Sequence, residues 1–173
     1  MIKKDYSFAQ ADIVESLNGA DSLELSSNNP EMLVNFKFSW LTNESGIIPD
    51  FDIVNSDLLV CNSCGRKVIS SLSAKVSFSE IKIENNPYYL CSYIPVLCNC
   101  INVKKSIIKK FSNGDIMEIS SPVLLPNDYP NFFCLEDMPT IYFCSQKFKT
   151  AVSENNLTGL LFEECPIKSK SWF

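Results

Sequence analysis

Leu58-Leu59-Val60-Cys61-Asn62-Ser63 runs into Arg66-Lys67-Val68-Ile69 and on to Val76-Ser77-Phe78. The same order returns at Ile141-Tyr142-Phe143-Cys144-Ser145, Lys147-Phe148-Lys149 and Leu160-Leu161-Phe162. In each copy a β-type apolar run ends on a cysteine beside a small polar residue, a basic amphipathic stretch follows, and a second apolar run closes the unit. Each copy reads as strand, helix, strand. The pair predicts an α+β fold with an antiparallel or mixed sheet, two or three helices, and an internal strand-helix-strand pseudo-repeat. In the second copy Ser145 is placed to cap a helix over Gln146 to Glu154, Asn155-Asn156 marks its end, and Gly159 starts the last strand.

Outward from these units the signals are local. Phe8, Ala9, Ile13, Val14 and Leu17 recur at helical spacing with Gly19 as a stop, which predicts a short surface helix over 7–18. Residues 33–41 alternate, with Val34, Phe36, Phe38 and Trp40 on one side, as a half-buried strand does. Thr42 to Asp57 collects Asn43, Gly46, Pro49, Asp50, Asp52 and Asn55 and reads as loop. Tyr88 to Tyr93 and Val96 to Val103 read as strand segments separated by Pro95, which lacks an N–H for a ladder. Ile107 to Phe111 and Ile116 to Ile119 flank Asn113-Gly114, a hairpin signal for a two-residue turn with positive φ, and the hairpin's lysines guard an edge. Residues 121–131 hold Pro122, Pro126 and Pro130 and read as an irregular connection into Phe132-Phe133-Cys134.

At 173 residues the expectation is a single domain over 1–173, with an N-terminal helix and strand in 1–47. The N-terminus shows no secretory signal and no apolar run approaches a membrane span, so a cytoplasmic protein without membrane contact is expected. Eight cysteines then read as reduced thiols. Charge is uneven: residues 1–60 carry net −7, residues 61–120 net +4 and residues 121–173 net −2. A sequence pI near 4.8 argues against a nucleic-acid partner and suits a basic protein partner.

The chain has no histidine, which removes Ser-His and Cys-His nucleophile pairs and every imidazole zinc site. Cys61/Cys64 and Cys98/Cys100 are the close cysteine pairs, and their unequal spacing does not fit two zinc knuckles. No metal or cofactor is expected. A strand leading into Cys61-Asn62-Ser63-Cys64 at a helix start is similar to the thioredoxin-like arrangement, and Met138-Pro139-Thr140-Ile141 is similar to that family's proline-threonine strand entry. A thiol oxidoreductase or zinc-binding module using Cys61 and Cys64 is therefore the alternative reading. The adjacent acids Glu136/Asp137 and Glu163/Glu164 face opposite sides of an extended strand and form no catalytic dyad. The five glycines form no phosphate-binding fingerprint.

Over about 48–164 the order of segments resembles the immunity proteins of bacterial polymorphic-toxin systems, especially the families numbered eleven and forty-three. The matching parts are Pro49-Asp50-Phe51, Leu59-Val60-Cys61-Asn62-Ser63, Pro87-Tyr88-Tyr89-Leu90, the stretch from Cys98 to Ser106, and Ile141 to Lys149 with Leu157-Thr158-Gly159-Leu160-Leu161-Phe162. Asn99 and Asn102 stand where the resemblance leads one to expect aspartates. It implies a non-catalytic, stoichiometric inhibitor of a cognate toxin made by the same cell, with no transferable active site. On that reading Asp50, Asp52 and Asp57, with Glu136, Asp137, Glu163 and Glu164, are the expected toxin-facing acids. Electrostatic steering would speed capture of a basic toxin, and solubility is the competing explanation for the same charges.

Overall fold

Three four-residue runs, Phe51–Val54, Leu58–Cys61 and Phe132–Leu135, are buried on both faces, and the layers of the molecule are arranged around them. A computed structural model describes residues 1–17, 19–21, 25, 29–41, 46–55, 57–73 and 75–169. The fold is α+β. Six strands form one sheet: β2 (Gln10–Ser16), β3 (Phe36–Leu41), β4 (Phe51–Val54), β5 (Leu58–Cys61), β6 (Ser77–Ile83) and β7 (Asn86–Ser92), in the order β2-β3-β6-β7-β5-β4. Only the β3–β6 contact is parallel. A second sheet joins β8 (Val96–Leu97), β11 (Phe132–Leu135) and β12 (Met138–Cys144), and two pairs complete the strands: β1 (Ile2–Lys4) with β13 (Leu160–Phe162), and β9 (Ile107–Lys110) with β10 (Ile116–Ser121).

Period-two alternation sorts the side chains into cores. Val54, Leu58, Val60, Tyr88 and Leu90 face the interior of the curled six-stranded sheet, together with Ala9, Ala11, Phe36, Phe38 and Trp40. Their neighbours Phe51, Ile53, Leu59, Cys61 and Cys91 face the other way, against α1 (Ser63–Leu72), α2 (Gln146–Glu154) and the β11–β12 hairpin. There Phe132 stacks on Tyr142 and on Phe148, with centroids 5.5 and 5.4 Å away. The opposite face of β11–β12 presents Phe133, Leu135 and Phe143 to a third core with Ile101, Ile119 and Leu124. Tyr142 joins the layers: its hydroxyl accepts from Leu59 N at 3.1 Å and donates to the Asp57 carbonyl.

Both strand-helix-strand units form. Asn62 caps α1, accepting from the amides of Cys64 and Gly65 at 2.9 and 3.1 Å, and Ser145 caps α2 through the Phe148 amide. They differ in topology. β5 and β6 are each antiparallel to β7, so they lie parallel on either side of it, whereas β12 and β13 sit in separate pairings. The repeat is one of local structure and not of sheet connectivity.

Four sequence expectations are corrected. The helix expected over 7–18 is β2, because Ala9 and Ala11 alternate into the core and pairing with β3 satisfies the backbone; Val14, assigned to the helical stripe, is exposed. Residues 30–35 form a 3-10 helix ahead of β3, which leaves Val34 exposed. The loop expected over 42–57 contains β4; residues 42–45 and 56 lie outside the described residues. The segment expected to be extended over 96–103 is a strand only at Val96–Leu97, since Asn99 turns the chain at φ +56°.

Candidate interaction surface

Two of the seven acids expected to face a partner are structural, and a third is half-buried. Asp52 is 1% exposed, which corrects its assignment to a surface. One carboxylate oxygen accepts from Ala11 N at 2.5 Å and the other lies 3.0 Å from Lys4 Nζ, which also donates to the Ile53 carbonyl at 2.9 Å. β2 and β4 are the two edges of the six-stranded sheet, so this side chain closes the sheet where no strand ladder does. Asp50, half-buried, accepts from Asn62 Nδ2 at 2.7 Å and from Thr158 N and Oγ1 at 2.9 Å each. It thereby fixes the α1 cap to the start of the last strand. Phe51 N donates to the Thr158 carbonyl at 3.0 Å, and the chain beside it must be glycine: Gly159 has φ +97° and a Cβ would overlap the Phe51 carbonyl oxygen. Among the described residues one carboxylate oxygen of the half-buried Asp57 has no hydrogen-bond partner, and burial pushes its carboxyl above the usual range.

The other four acids are exposed but separated. Glu136 and Asp137 form the turn between β11 and β12, not a strand. Glu136 hydrogen-bonds the exposed Cys98 thiol, which raises that thiol's pKa. Glu163 and Glu164 lie near the other end of the same hairpin, on the rim of a cleft of about 470 Å³ whose wall includes Tyr129, Phe133, Phe143 and Lys149. Lys3 pairs with Glu163 and holds its carboxyl below the usual range. The structure therefore does not gather the seven acids into one face.

The CxxC divides between inside and outside. Cys61 is fully buried at the end of β5 with its sulfur 3.9 Å from that of Cys91, while Cys64 is exposed in the first turn of α1. Burial and the Cys61 contact push the Cys91 thiol well up. Burial likewise pushes Cys134 to about 12 and Cys144 to about 11. Among the described residues no three or more cysteine, aspartate or glutamate side chains gather as metal ligands.

The β9–β10 hairpin carries the exposed surface that the sequence reading did not single out. Opposed residues Ile108 and Ile119 reach down to the third core and anchor it. Ile107, Phe111, Ile116 and Met117 remain 39–63% exposed, interleaved with Lys109 and Lys110. Apolar side chains grouped in this way on a projecting element mark interaction sites. The tip is a three-residue loop, in contrast to the two-residue turn expected: Gly114 N donates to the Phe111 carbonyl at 3.0 Å, and Gly114 alone in the loop takes positive φ, at +93°.

Asn102, the position at which an aspartate was expected, is buried. Its Nδ2 donates to the carbonyls of Lys168 and Ser169 at 3.1 and 3.3 Å, and its own carbonyl accepts from Lys105 N and Ser106 N at 3.0 Å each. An aspartate would set a carboxylate against two carbonyl oxygens, so the amide is required there.

No family model matches the chain, and a search of curated proteins found no match to it. No helix among the described residues is long and apolar enough to cross a membrane.

Proposed function

We propose that this chain is a non-catalytic immunity protein that binds a cognate bacterial toxin domain in the cytoplasm and neutralises it stoichiometrically. The observation that carries the protein-binding half of this reading is the β9–β10 hairpin, which exposes Ile107, Phe111, Ile116 and Met117 beyond its anchor. The toxin as partner rests on the resemblance of segments 48–164 to immunity families eleven and forty-three. The net charge of −5, with four of the seven acids exposed, supports long-range steering of a basic toxin domain.

The test is protection. Cells expressing the toxin domain encoded beside this chain should survive only when the chain is co-expressed, and the two should co-purify at a fixed ratio. Survival without the chain, or toxin killing undiminished by it, would sink the proposal.

A further inference from the structure

Among the described residues β9 is hydrogen-bonded to β10 alone, so the two-stranded sheet is open at both edges. A lone hairpin of this kind is marginal in water, and an added strand stabilises it. Its charge is opposite to that of the molecule. Residues 104–118 hold four lysines, Asp115 and Glu118, net +2, while the rest of the chain carries net −7. Lys109 is paired with Glu118 at 2.6 Å and Lys105 donates to the Ser169 carbonyl at 3.0 Å. Lys104 and Lys110 have no ion-pair partner among the described residues.

We infer that the open edge of β9 receives an extended acidic segment of the partner protein, added as a third strand. This rests on the protein-binding reading above and specifies what the contact accepts. Main-chain hydrogen bonds supply the pairing. Carboxylates of the added strand meet Lys104 and Lys110, and its apolar residues cover Ile107 and Phe111. A second copy of this chain is a poor occupant, because edge-to-edge pairing of two β9 strands brings together two hairpins that each carry net +2. Nucleic acid is disfavoured by the two acids within the hairpin and by the −7 surrounding it.

The test needs no toxin. A seven-residue peptide alternating glutamate with valine and threonine, its lysine-for-glutamate counterpart, and a single-stranded oligothymidine are titrated separately into the full isotope-labelled chain. The acidic peptide should shift amide resonances of residues 104–118 and no other contiguous region, and it should bind at least tenfold more tightly than the lysine peptide. The Lys104→Glu/Lys110→Glu variant should weaken the acidic peptide at least tenfold while keeping the parent spectrum elsewhere. Should that variant fold poorly, Phe111→Ser serves, with a threefold or larger loss expected. No binding at millimolar peptide, binding indifferent to these substitutions, or preferential binding of the oligothymidine would overturn the inference. Because the peptide assay and the protection assay share no component, failure of one leaves the other interpretable.

Discussion

The segment around β4 and the β9–β10 hairpin use charge in opposite ways. Around β4, three acids sit within eight residues and point into the protein: Asp52 closes the sheet, Asp50 clamps the α1 cap to Thr158, and Asp57 lies half-buried with one oxygen unpartnered among the described residues. On the hairpin, apolar side chains and lysines both face water. An acidic stretch of sequence is therefore not an acidic surface here, and the apolar residues of the hairpin are not core.

Substitutions can break or sharpen this contrast. The largest effect is expected from Asp52→Ala, which leaves the half-buried Lys4 without its carboxylate and the Ala11 amide unpaired; denaturant titration should record a loss of about 3 kcal/mol. Replacing the pair together, as Lys4→Met/Asp52→Leu, should recover much of that loss, and a double variant as unstable as Asp52→Ala would show that the sheet edge needs the hydrogen bond to Ala11 more than the ion pair. Gly159→Ala comes next, at about 3 kcal/mol, from left-handed backbone strain plus collision with the Phe51 carbonyl.

Asp57→Asn should act with the opposite sign. Burial raises the folded-state pKa of Asp57, so its favourable contribution is present below the unfolded value of about 3.9 and is lost as pH rises through the folded value. At pH 7 the charged side chain opposes folding. Asn should raise the melting temperature at pH 7 and leave it unchanged near pH 3, and a fall at pH 7 would mean that the carboxylate has a partner. Smallest is the hairpin: Phe111→Ser and Met117→Ser should each change stability by no more than about 0.5 kcal/mol, because both side chains are more than half exposed. A loss above 2 kcal/mol would place them in the core and remove the contrast.

How much of this was legible depended on whether the deciding contact was local. Ser145 and the helix after it and the two apolar runs flanking α1 are governed by residues a few positions apart, and they form as read; the hairpin around Asn113-Gly114 forms too, with a three-residue loop in place of the two-residue turn. β2 was misread because Phe8, Ala9, Ile13, Val14 and Leu17 satisfy a helical period, while the competing alternation rests on two alanines whose burial comes from pairing with a strand some 25 positions away. β4 was hidden by Asp52, a turn-like residue whose partners Lys4 and Ala11 lie 48 and 41 positions back. The acidic surface failed for the same reason, since nothing in the local pattern distinguishes an aspartate that meets water from one that is buried against a lysine and an amide far back in the chain. Exposure of the hairpin was equally unreadable: Ile107 and Ile108 are identical in type, and only the third core decides which of them is covered.

The β2–β4 seam has a further consequence for motion. A strand ladder shares its closure over many hydrogen bonds and frays from its ends, but among the described residues β2 is tied to β4 through the Asp52 carboxylate, with the Ala9 amide bonded to the Ile47 carbonyl just ahead of the two strands, so the seam can part without disturbing the register of any strand. Opening there would expose the Ala9 and Ala11 side of the interior while β5, β6 and β7 stay paired. The molecule's first excursion from its native state would then be a hinged gape between β2 and β4, with amide protons of β2 exchanging with solvent long before those of β5.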